Sequence, residues 1–188
     1  MNVTTLVQPA VEPVGLAEVK EFLRIGSAGE DGLVAQMIAG ARARIEEAVG
    51  LALISRTVRV TMEAWPVAML NRRSITLPVR PAGELVAVRV TQGGVEADVS
   101  SRFRLMPGRA ARLTWASGAL AHPDARTHIE VDYVAGFGDA PDDVADSLRL
   151  AVKQMVGHAY RARYTEGGVE PLPPDVAAMV ATWRRVRL

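Results

Sequence analysis

The sequence predicts an α+β protein: helices from both ends of the chain pack as a small bundle, and an antiparallel β module, sandwich-like or barrel-like, is inserted between them. Three observations predict it. Apolar residues recur at the helical period before residue 54 and again after residue 140. Between those stretches the period drops to two, and Gly, Pro and Asp punctuate the middle every few residues. The bounds that follow are a helical domain of 15–53 and 140–188, a β module of 54–139, and an irregular segment of 1–14 that carries Pro9 and Pro13.

Taken in order, Leu16, Val19, Phe22 and Leu23 form the stripe of a first helix, and Gly26–Gly29 mark the loop after it. A longer helix runs from Glu30 to Val49 through Leu33, Val34, Met37, Ile38, Ala41, Ile45 and Ala48, with Gly50 where a helix C′ residue belongs. Val58, Val60, Met62 and Ala64 then alternate with Arg59, Thr61 and Glu63 in a strand that Pro66 ends. Further strands are expected at 74–77, 84–91, 95–99, 102–105, 111–115 and 128–135, with Gln92-Gly93-Gly94 as a hairpin turn. The helical period returns through Val144, Leu148, Val152, Met155, Val156 and Tyr160. A loop with Gly167, Gly168, Pro171, Pro173 and Pro174 leads to a last helix striped by Val176, Met179, Val180 and Trp183.

Composition narrows the function classes. The chain has 188 residues, 49% of them hydrophobic and 23% charged, enough apolar material for a proper core. Cys is absent, which excludes disulfides, thiolate metal sites and cysteine nucleophiles. No apolar run approaches the roughly 18 residues of a membrane span, and the start lacks the pattern of a signal peptide. The expectation is therefore a protein that folds in a reducing cytoplasm and has no membrane partner. Net charge is +1, unevenly spread: 56–112 holds ten bases and four acids, whereas 113–147 holds one base and seven acids. Zones of opposite sign suit contact between copies better than a polyanion-binding surface, although each zone also reads as an ordinary solvated face.

Candidate chemistry is sparse. His122 and His128 flank a turn without a convergent carboxylate, so a metal site there competes with solvated loop histidines. His158, beside Tyr160, reads as a partner at a helix interface. Asp139, Asp142, Asp143 and Asp146 are conceivable cation ligands, but Pro141 beside them favours capping of a helix N-terminus. Gly136-Phe137-Gly138 lacks the third glycine of a phosphate-binding loop, and no motif of nucleophilic or metal catalysis is present. No cofactor and no enzymatic activity are expected. The Arg-rich 56–112 stretch has only Trp65 and Phe103 to stack on bases, and its arginines alternate as an outward face would.

The stretch from Val131 to Pro141 ends a strand in an aromatic-x-x-Gly-aromatic-Gly turn (Tyr133, Gly136, Phe137, Gly138), and Pro141 opens a helix holding His158, Tyr160 and Arg163. In this it resembles the tailed-phage head–tail connector, or adaptor, family of phages and gene transfer agents. Leu16–Arg24, Asp31–Gly50, Ala52–Thr57, Trp65-Pro66 and Leu77–Pro81 match other parts of that family in order, so the resemblance spans 15 to 164. Ala159 departs from the bulky aromatic that many members carry there. The resemblance implies a structural role: a closed ring of about twelve copies below the portal, built from heterologous contacts. Such a ring extends the DNA channel, lets DNA pass without sequence-specific binding, and offers a platform to the stopper or tail-terminator protein. It also allows a monomer in solution, a virion location at the head–tail interface, and host cytoplasm during assembly. Trp183, Arg184, Arg185, Arg187 and Leu188 form a basic, aromatic tail suited to docking in the portal. A different class of function, a nucleic-acid-binding assembly factor, would rest on the 56–112 arginines.

Overall fold

A computed structural model describes residues 1–108, 110–118, 127–163 and 172–184. The chain divides into two compact units, one of Met1–Gln8 with Ser55–Gly136 and one of Pro9–Ile54 with Phe137–Leu188.

The first unit is the β module. Its strands are β1 (Asn2–Thr5), β2 (Arg56–Met62), β3 (Ser74–Thr76), β4 (Ala82–Gln92), β5 (Val95–Asp98), β6 (Phe103–Met106), β7 (Arg112–Trp115) and β8 (His128–Ala135). They form two open antiparallel sheets, ordered β1-β2-β8-β4-β5 and β3-β7-β6. Neither order returns to its own first strand, so the barrel-like alternative is corrected to two sheets. The central pairing sets Val60 opposite Val131 and Val88 opposite Val131 on the other side. Period-two alternation then buries Val58, Val60, Val88, Ile129, Val131 and Tyr133 and leaves their neighbours on the opposite face. The buried Tyr133 hydroxyl donates to the Val79 carbonyl at 3.2 Å and accepts from the Val79 N–H at 3.1 Å. Trp65 stacks on Phe103 with ring centroids 5.1 Å apart. Gly93 and Gly94, at φ 59° and 85°, make the tight β4–β5 turn that only glycine adopts without strain.

Three local expectations are revised. The segment expected to be irregular contributes β1, which has no signature of its own because it is four residues long and forms only by pairing with β2. The strand expected to run to Pro66 stops at Met62. A helix, α3 (Val67–Arg72), follows Pro66, with its first turn closed by the Met69 N–H on the Pro66 carbonyl at 2.8 Å. Six residues are too few to display a 3.6-residue period.

The second unit holds α1 (Leu16–Leu23), α2 (Asp31–Val49), α4 (Asp146–Ala162) and α5 (Pro174–Val180). Val19, Val34, Ile38, Ile45, Leu148, Val152, Met155, Val156 and Val176 share one core. Gly50 ends α2 at φ 67°, its N–H on the Glu46 carbonyl at 2.8 Å. A buried polar cluster holds the segments flanking α2: the Arg42 guanidinium donates to Glu12 at 2.7 and 3.2 Å and to Glu46 at 3.0 Å, and Glu46 accepts from the Leu53 N–H at 2.8 Å. Three residues assigned to helical apolar stripes are displayed instead: Phe22 is 41% exposed, Leu33 is 40% exposed, and Ala48 is exposed as well. Phe22 sits at the rim of its helix's apolar arc, with only one edge of its ring against α4. Among the described residues, no helix is long and apolar enough to cross a membrane.

Candidate functional site

The signature turn begins where β8 ends. Gly136 lies at φ 146°, a conformation side chains resist, and its N–H donates to the Pro81 carbonyl at 2.9 Å. Phe137 then sets its ring edge-on to Trp183, with centroids 5.5 Å apart. Gly138 is required by space: a Cβ there would collide with the Asp143 carboxylate, which accepts the Ala140 N–H at 2.9 Å. Pro141 opens the short 3-10 turn Pro141–Asp143 that precedes α4. Of the acid cluster, Asp143 caps this short turn through the Ala140 N–H, whereas Asp142 takes Arg149 at 3.1 Å and no side chain caps the start of α4 itself. No group of three potential metal ligands occurs among the described residues.

On α4, the other signature residues tie helices together. His158 Nε2 lies 2.8 Å from Asp175 Oδ2 on α5, and that hydrogen bond holds the Asp175 carboxyl below its ordinary range. The Tyr160 hydroxyl donates to Glu30 at 2.6 Å, and Arg163 donates to the other oxygen of the same carboxylate at 2.7 Å. These two bonds, Tyr160's first, lower the Glu30 pKa, while the tie to Glu30 raises that of Tyr160. The Arg163 guanidinium also lies 3.8 Å from the Tyr160 ring centroid. Nearer the start of α4, Lys153 and Arg149 both reach Glu18 on α1, at 2.9 and 3.3 Å. The Lys153 hydrogen bond is the main cause of that carboxyl's lowered pKa.

In the β module, the polar face of the larger sheet carries an ion-pair network on its central strand. Asp132, 2% exposed, accepts from Arg59 at 2.7 and 2.8 Å and from Arg89 at 2.8 Å. Glu130 takes Arg59 at 2.8 Å and stands 3.4 Å from His128. Two arginines of the basic stretch are thus neutralised by acids of the neighbouring strand. His122 lies outside the described residues.

Of the basic tail, Trp183 is half-buried against Phe137 and Arg184 is exposed. Arg185, Arg187 and Leu188 lie outside the described residues. Sequence reasoning missed a groove of about 180 Å³ between α2 and α4, lined by Met37, Gly40, Ala41, Arg44, Met155 and Ala159. Its only sequence signal is the run of small residues along one side of α2.

The signature residues thus tie helix to helix, and the charged clusters described above pair internally. The chain is similar over its whole length to chains in solved gene transfer agent particles. The neck of an empty GTA particle computed with C6 symmetry matches at TM-score 0.81 and 29% identity, covering 100% of this chain and 97% of that one. The virion of a native gene transfer agent particle matches at 0.82 and 28%, and the neck of a native GTA particle computed with C12 symmetry at 0.79 and 28%, with the same coverage. No protein-family model and no curated protein matches the chain. The resemblance to the head–tail connector family, gene transfer agent type, is therefore carried by both sequence and fold.

Proposed function

We propose that this chain is a structural neck component, the adaptor of a tailed phage or phage-like gene transfer agent particle. Copies form a ring below the portal, extend the DNA channel, and present a platform to the stopper or tail-terminator protein. The observation that carries this reading is the full-length likeness, at 28–29% identity, to chains in GTA particles. The paired arginines of the β module support it from another side, since a channel wall must let phosphates slide rather than hold them. The segment 171–188, with Trp183 and Arg184 at the start of its basic end, docks in the portal. Co-sedimentation of the purified chain with the portal protein from the same source, followed by electron microscopy, tests both statements. A second tier on portal-sized rings is expected, and it weakens when 171–188 is deleted. Absence of binding at every salt and protein concentration overturns the adaptor reading. Unchanged binding by the truncated chain overturns only the docking role.

A further inference from the structure

We propose that neighbouring copies join head to tail through Phe22 of one copy, seated in the α2–α4 groove of the next. The inference rests on the ring reading above and names the contact that closes the ring.

The groove is apolar and shallow-walled because Gly40, Ala41 and Ala159 leave space there, while Met37 and Met155 supply adaptable walls. Its volume of about 180 Å³ suits a phenyl ring, given that an apolar cavity of ~150 Å³ takes up benzene. The same unit displays one such ring. Phe22, in the last turn of α1, is 41% exposed. Its inner edge lies by Gly157 of α4, and the Lys153 ammonium stands 5.9 Å from its centroid.

Knob and groove lie on different sides of α4. Lys153 and Gly157 face Phe22, whereas Met155 and Ala159 line the groove. Two residues along a helix turn the direction by about 200°, so the two features point roughly oppositely. A molecule with a knob on one side and its hole on the other makes heterologous contacts, which close into a ring or run on as a filament.

Charge favours a second copy as the occupant. Phe22 is flanked by Glu21 and Arg24, both exposed, and the groove is rimmed by Arg44 with Glu47 three residues on, also exposed. None of the four is ion-paired among the described residues. Seating Phe22 lets Glu21 meet Arg44 of the next copy, pairing two opposite charges at the edge of an apolar centre.

The absence of cysteine supplies the test. Glu21→Cys and Arg44→Cys in one chain introduce the only thiols. They cannot close within a copy: Lys20 pairs with Asp31 at the start of α2, and Arg44 lies about 20 Å further along that helix, beyond the ~7 Å reach of a disulfide. Assembled on portal and oxidised, the double variant is expected to give a ladder of disulfide-linked multimers, while each single variant, with no partner thiol across the contact, gives no ladder. Tiers seen by microscopy without a ladder, or cross-links to portal alone, overturn the proposal and leave the ring reading standing. Failure of the wild-type chain to form tiers overturns the ring reading itself. Should the cysteine pair block tiers that the wild type forms, a charge swap decides. Arg44→Glu is expected to abolish tiers and Glu21→Arg in the same chain to restore them; tiers unaffected by Arg44→Glu, or not restored by the swap, refute the contact.

Discussion

Asp132→Ala removes the acceptor at the centre of the sheet-face network, and its cost follows from the geometry. The carboxylate is 2% exposed and accepts three hydrogen bonds from two guanidinium groups, at 2.7, 2.8 and 2.8 Å. Hydrogen bonds to charged groups contribute about 1.5–3 kcal/mol each and do not add fully. Both arginines are more than a quarter exposed and keep Glu130 nearby, so water and that second acid recover part of the loss. A net destabilisation of about 2–3 kcal/mol is expected, against the 3–5 of a fully buried broken pair. Urea unfolding followed by tryptophan fluorescence reads it well, because Trp65 and Trp115 both lie in this unit. With a slope of roughly 2 kcal/mol per M, the midpoint falls by about 1 M. The pH dependence gives an independent reading. Burial pushes the Asp132 carboxyl up, but the hydrogen bonds and charges of Arg59 and Arg89 outweigh it and hold the group below its ordinary value. Its stabilisation is therefore fully present above the unfolded value of about 4 and fades as pH falls through the lower folded value. The gap between wild type and Asp132→Asn should narrow over that acidic range. A midpoint shift below about 0.3 M, or a gap independent of pH down to acid unfolding, would refute this account.

Two further substitutions probe other parts of the argument. Gly138→Ala drives the Asp143 carboxylate off the Ala140 N–H and should cost about 1 kcal/mol, the scale of a lost cap. In the Gly138→Ala/Asp143→Gly chain, where the Asp143 Cβ is gone as well as the carboxylate, the glycine change should add nothing to Asp143→Gly alone, and additive costs in urea melts would show the collision is not the cause. Tyr133→Phe removes the partner of the half-buried Val79 N–H and carbonyl and should lower stability by about 1 kcal/mol, with an unchanged thermal midpoint as the contrary result.

Much of the fold was legible because its signals are local. The apolar periods mark α1, α2, α4 and α5, Gly50 marks the end of α2, and Gly93-Gly94 marks the β4–β5 turn. The cap that Asp143 makes beside Pro141 and the interface role of His158 were legible for the same reason, whereas Asp142 turned out to hold Arg149 rather than a helix N-terminus. What sequence hid is set by tertiary partners. β1 exists only through β2, and α3 is shorter than two helical turns. Glu30 and Tyr160 stand 130 positions apart, and Asp132 draws partners 43 and 73 positions away, so no window along the chain contains either cluster. Phe22 fits a helical stripe perfectly well by spacing; only the arrangement of α1 against α4 reveals that its ring is displayed.

The chain's threading between its two units also governs how it is made. α2 buries its apolar face against α4, yet the ribosome delivers the whole β module between them. At about 5–20 residues per second, roughly 100 intervening residues hold α2 waiting for some 5–20 s. For that interval the nascent α1–α2 hairpin shows Ile38, Ile45 and Val49 to the cytosol with nothing to cover them. β1 waits similarly for β2. The helical unit does not close until late in synthesis, so a chain cut short before α4 leaves that apolar face open to chaperones and proteases.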